Sequence, residues 1–105
     1  MEYRVIISTC ASIEEGRRIA QELVSRELVA CVNLVPGVES IYRWEGKVES
    51  GSEVLLVMKT TSENQERTLE ALKDLHSYEV PEGLVLQLLG GLSQYLEWIG
   101  ESVKS

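Results

Sequence analysis

The sequence predicts an α+β domain: one antiparallel four-stranded sheet in a split β-α-β arrangement, with two helices on one face and a further helix at the C-terminus. Three observations predict it. Strand-like and helix-like hydrophobic patterns follow one another in the order β-α-β-β-α-β-α. The second and third strands are joined by turn residues with no helix between them, which splits the β-α-β unit. Right-handed crossovers then leave few other ways to lay the helices on the sheet.

Each element has its own signal. Residues 3–9 are rich in β-branched side chains and read as a strand. Ser12 followed by Glu15 is a capping box, and Ile13, Ile19, Ala20, Leu23, Val24 and Leu28 form the stripe of a first helix. Residues 29–44 read as a second strand, and Pro36-Gly37 inside it implies an edge position or a bulge. Glu45-Gly46-Lys47 and Ser50-Gly51-Ser52 supply turn chemistry for a long hairpin, with the third strand at 53–60. Ser62 with Gln65 suggests another capping box, for a helix carrying Leu69, Leu72 and Leu75. Pro81 marks a break, and residues 84–89 form a short fourth strand. After Gly90-Gly91, the residues Leu92, Tyr95, Leu96, Ile99 and Val103 mark the terminal helix.

The chain of 105 residues suffices for a single domain, 1–105, and shows no linker or repeat. A hydrophobic fraction of 44% with 26% charged residues is a globular balance, not a disordered one. The net charge of −7 disfavours nucleic acid and anionic membrane surfaces, which need clustered Lys and Arg. No apolar run is long enough for a membrane-spanning helix, and the first residues do not resemble a signal peptide, so a cytoplasmic protein is expected. Cys10 and Cys31 lack C-x-x-C spacing, which argues against a zinc ribbon or a thioredoxin-like motif; both suit core packing.

The strands carry an implication about assembly. A sheet covered on one face should alternate apolar and polar residues. Here Val54, Leu56 and Met58 point one way while Leu55 and Val57 point the other, and Leu84 and Leu86 oppose Val85. An apolar second face is larger than monomers usually expose, so a homo-oligomer is expected, with the hairpin available to pair with a neighbour's edge strand.

Ala30-Cys31-Val32-Asn33, Pro36-Gly37-Val38, Ser40-Ile41-Tyr42, Trp44-Glu45-Gly46-Lys47, Glu53-Val54, Lys59-Thr60, His76 with Tyr78-Glu79-Val80-Pro81-Glu82, and Tyr95-Leu96 with Trp98 together resemble the CutA divalent-cation tolerance family. The resemblance runs in order over nearly the whole chain. It implies a ferredoxin-like fold, a compact homotrimer with sheets facing its centre, and a role in tolerance of divalent metals, copper above all.

Against that background the chemistry concentrates around the only histidine. Imidazole with carboxylates suits Cu(II), so His76, Glu79 and Glu82 are candidate ligands; the alternative is a histidine that caps the second helix. In copper-binding relatives the resemblance implies a cysteine near the end of the first strand and a pair of histidines. This sequence has Ser8 at the cysteine position, Cys10 two residues later on the same strand face, and Leu75-His76 in place of the pair. Cys10 therefore joins the candidate metal set, and copper affinity is expected to be modest. Tyr42, Trp44, Tyr78 and Trp98, with Asn33, are candidates for an inter-subunit cleft, or else simple packing residues. Glu45, Glu49, Glu53, Glu79 and Glu82 suggest an acidic rim or a solvated surface.

No nucleophile–base pair, phosphate loop or dinucleotide fingerprint is present, so neither catalysis nor an organic cofactor is expected. The leading expectation is a homotrimeric divalent-cation tolerance protein that binds Cu(II) or a similar ion. The second is a non-enzymatic signalling or scaffold trimer that binds a small molecule or partner protein at its inter-subunit cleft.

Overall fold

The computed structural model describes residues 1–105. Strand β1 is Tyr3–Cys10, helix α1 Ile13–Ser25, β2 Cys31–Trp44 and β3 Lys47–Thr61. A 3₁₀ turn at Ser62–Asn64 leads into α2, Gln65–Leu75; β4 is Leu84–Gln87 and α3 Ser93–Ser102. The sheet order is β2-β3-β1-β4 and every pairing is antiparallel. This is the split β-α-β fold.

One face of the sheet makes the core. Ile6, Cys10, Val54, Leu56 and Met58 project from it and pack against Ile19 and Leu23 of α1 and Ala71 and Leu72 of α2. A fully buried leucine such as Leu56 contributes roughly 1.5–3 kcal/mol. Gly16 brings α1 close to the sheet: a Cβ there would lie 3.1 Å from Leu34 Cδ2 and 3.3 Å from both Cys10 Sγ and Leu56 Cδ2.

Helix α1 starts as its capping box implies, with Ser12 Oγ accepting from the Glu15 N–H at 3.2 Å. The second capping box does not form. Asn64, not Ser62, flanks α2, and its side-chain amide is spent on the C-terminal tail, donating to Thr61 Oγ1 and to the Lys104 carbonyl at 2.7 Å. That contact explains the 3₁₀ turn: the chain tightens to bury Asn64 against the tail.

The hairpin departs from expectation in one respect. Glu45 and Gly46 both have left-handed φ, 49° and 79°, so the strands close in a two-residue turn and β3 begins at Lys47, not at residue 53. Ser50-Gly51-Ser52 is strand, paired with Ile41, Ser40 and Glu39. Pro36-Gly37 is a bulge on an edge strand, with two residues set against one between the pairs Val35–Leu55 and Val38–Glu53. Gly37 takes φ +76° there. The bulge changes which residues of β2 face which way. Before it, Cys31, Asn33 and Val35 lie opposite Lys59, Val57 and Leu55; after it, Val38, Ser40, Tyr42 and Trp44 occupy that same face.

The open face also carries Val5, Ile7, Leu55, Val57, Leu84 and Leu86, in register across β4, β1 and β3. Helix α3 closes the Tyr3–Thr61 end, where Ile99 and Val103 are buried and Lys104 N–H donates to the Glu27 carbonyl at 2.8 Å. It leaves Leu84 and Leu86 58% and 49% exposed.

Candidate functional site

The site grows from the end of α2. His76 caps that helix, its side chain wholly buried, and its ring is held from both sides. Nε2 lies 2.7 Å from the Thr9 carbonyl, an acceptor only, so Nε2 carries the proton. Nδ1 then presents its lone pair, which accepts the Tyr78 N–H at 3.0 Å. Glu15 stands 3.7 Å from Nδ1 and accepts the Ser77 N–H at 2.8 Å. Burial opposes ionisation of Glu15, but the hydrogen bonds from Ser77 and Ala11 and the nearby His76 outweigh it and hold its carboxyl below the usual range. Glu15 thus serves both the start of α1 and the loop after α2.

Fixed in this way, the loop passes round the Cys10 end of β1. Tyr78 stacks obliquely on His76, with ring centroids 4.7 Å apart, and its hydroxyl donates to Glu53 Oε2 at 2.8 Å. Glu53 lies opposite Val38 on the open face of the hairpin. Burial works against its charge, yet the Ser40, Tyr78 and Thr9 hydroxyls keep its carboxyl below the ordinary range. Burial, and then the bond to Glu53, push the Tyr78 phenol well above its ordinary range.

Between the hairpin and residues 78–82 lies a cleft of about 830 Å³. Tyr42 and Trp44 form one wall, Tyr78 and Glu53 stand between, and Glu79 and Glu82 line the other side. A smaller cavity of about 450 Å³ lies behind this segment, against Leu69, Leu72 and Lys73 of α2.

The expected site residues therefore divide. Tyr42, Trp44 and Tyr78 meet in one cleft together with Glu79 and Glu82. Asn33 lies elsewhere, accepting a hydrogen bond from Lys59, whose ammonium also sits 3.7 Å from Cys31 Sγ. Trp98 stacks on Tyr95 in α3 and does not line the cleft. The expected metal set of His76, Cys10, Glu79 and Glu82 does not converge. Both His76 nitrogens are engaged, and Cys10 Sγ is sealed in the core, 3.4 Å from the Ser12 carbonyl. Burial, and then the charge of Glu15, raise the Cys10 thiol and disfavour the thiolate that binds metals. No three His, Cys, Asp or Glu side chains gather in a way that could hold an ion, so the residues present do not fit a resident metal centre. Sequence reasoning missed Thr9 and Ser40, which bear on the site through a carbonyl and through hydroxyls near Glu53. It also missed the cross-link made by Glu15, for which the capping box was the only signal.

Fold and site define a class: a small ferredoxin-like α+β protein with an uncovered apolar sheet face and an acidic, aromatic cleft. The chain belongs to the CutA1 divalent ion tolerance protein family, which it matches over residues 4–102. It is 44% identical over 101 residues to the chloroplastic protein CutA of Arabidopsis thaliana, a match that covers 96% of this chain and 56% of that protein. The chain thus spans little more than half the length of this plant relative. The solved structure of the divalent cation tolerance protein Cut A1 from Thermus thermophilus superposes with a TM-score of 0.94 at 43% identity, covering 97% of this chain and 99% of that one. The structure of the periplasmic divalent cation tolerance protein CutA from Archaeoglobus fulgidus gives 0.94 at 37% identity, again over 97% and 99%. These relatives overturn the cytoplasmic expectation, since one is named chloroplastic and another periplasmic. Composition and the first residues were no guide to compartment. No helix is long and apolar enough to cross a membrane.

Proposed function

We propose that this protein serves divalent-cation tolerance as a non-catalytic homotrimer, residues 1–105 acting as one domain, and that it meets Cu(II) or a similar ion with modest affinity. The observation that carries the assembly is the open sheet face, where Val5, Ile7, Leu55, Val57, Leu84 and Leu86 form one apolar surface. A second copy is the natural cover. The number three rests on the family resemblance.

The modest affinity follows from the donor set. His76 can offer an ion nitrogen only by giving up Thr9 or Tyr78, which leaves the carboxylates of Glu79 and Glu82 in the cleft. Two carboxylates without a third donor make a weak site. The cleft also supports the second reading, a trimer that responds to a small molecule.

Light scattering and a Cu(II) titration with glycine as competitor test this on one sample. A mass three times that of the chain is expected, with weak Cu(II) uptake reduced by Glu79→Gln with Glu82→Gln and little changed by His76→Ala. A monomeric mass overturns the assembly. Tight binding lost in His76→Ala alone overturns the assignment to carboxylates.

A further inference from the structure

We propose that the cleft between the hairpin and residues 78–82 binds an organic cation, a primary ammonium or guanidinium on a short aliphatic chain, with Glu53 pairing its charge and Trp44 and Tyr42 covering its stem. This rests on the reading of the cleft as the place where the protein meets its ligand, but not on trimer formation or on Cu(II).

The lining decides the sign of the ligand. Three carboxylates, Glu53, Glu79 and Glu82, face the cavity and no lysine or arginine does. The chain as a whole carries −7. An anion would be repelled, and a neutral ligand would leave those charges without a partner.

The kind of cation follows from the geometry. A metal ion needs several donors converging at about 2.0–2.6 Å, and no such group exists here. An alkylammonium or guanidinium needs less: one fixed carboxylate, and aromatic faces to cover its chain and share its charge. The cleft offers both. Glu53 is fixed by the Tyr78 hydroxyl at 2.8 Å, and a carboxylate has lone pairs to spare beyond that bond. Trp44 and Tyr42 are 58% and 47% exposed, and the bulge at Pro36-Gly37 turns both to the face that carries Glu53. Large aromatics left in solvent beside a held carboxylate are otherwise unexplained by the packing of the chain. The volume of about 830 Å³ is that of an ordinary small-molecule site.

The test is calorimetry of agmatine into the whole chain at low salt with EDTA present, with 1-butanol and glutarate as neutral and anionic controls. Saturable binding near one agmatine per chain is expected, weakened about tenfold in Glu53→Gln and in Trp44→Leu, with neither control binding. Trp44 is exposed, so that variant should keep its circular dichroism and its mass. Absent or non-saturating agmatine binding, or equal binding by wild type and both variants, overturns the proposal. Failure with agmatine while Cu(II) still titrates leaves the proposed function standing; agmatine binding without Cu(II) binding does the reverse.

Discussion

His76 is the residue on which the site turns, and its role is architectural. Its ring ties the Thr9 carbonyl to the Tyr78 N–H from a buried position, so His76→Ala leaves both without a partner. A loss of about 2–3 kcal/mol is expected in urea denaturation, together with faster amide exchange at Tyr78. Glu15 and Glu53 give the pH dependence. Both are held below the usual carboxyl range in the folded protein, so the unfolded chain takes up protons first as pH falls. Their contribution is full above about pH 4.3 and is lost as pH falls through their folded values. Glu15→Gln should cost about 1–2 kcal/mol at pH 7, and the gap from wild type should close in acid; a gap that does not depend on pH would count against the role given to its charge. The sequence offered His76 as either ligand or cap, and only the placement of the Thr9 carbonyl decides between them. That carbonyl lies 67 residues away along the chain, and no local pattern encodes it.

The elements were more legible than their ends. Hydrophobic period identified all four strands and three helices, because each must bury one face against the same core. The hairpin was read too short because Ser50-Gly51-Ser52 looks like a turn; the positive φ at both Glu45 and Gly46 closes the chain earlier and leaves that segment in the ladder. Pro36-Gly37 was read correctly as an edge-strand bulge, but its consequence needed the register: it is what sets Tyr42 and Trp44 beside Glu53. Gly37 has no neighbour within 4 Å of where a Cβ would sit, so Gly37→Ala tests backbone strain alone and should cost about 1 kcal/mol. Gly16→Val is a different case. Its side chain would enter the contact with Leu34, Cys10 and Leu56, and overpacking there should cost about 1–3 kcal/mol by chemical denaturation.

At the scale of the whole molecule, the outline is elongated, 44 × 25 × 22 Å, with residues 41–50 of the hairpin exposed throughout. Two sheet edges are free, β2 and β4, and the face between them is apolar. A chain that kept this shape alone in water would hold a large hydrophobic surface and two unpaired ladders, the combination that invites uncontrolled association. Closed assembly removes the face from water, and hairpin pairing can satisfy the edges. The assembly works against its own charge, since each copy brings −7, so apolar burial has to supply the attraction. Leu84 and Leu86 are the sharpest probe, because they lie on the open face yet take little part in the core of their own chain. Leu84→Glu with Leu86→Glu should leave the fold of one chain intact by circular dichroism while light scattering falls to the mass of a single copy. An unchanged mass would mean that the copies do not meet through this face, and the apolar residues of β4 would then need another partner.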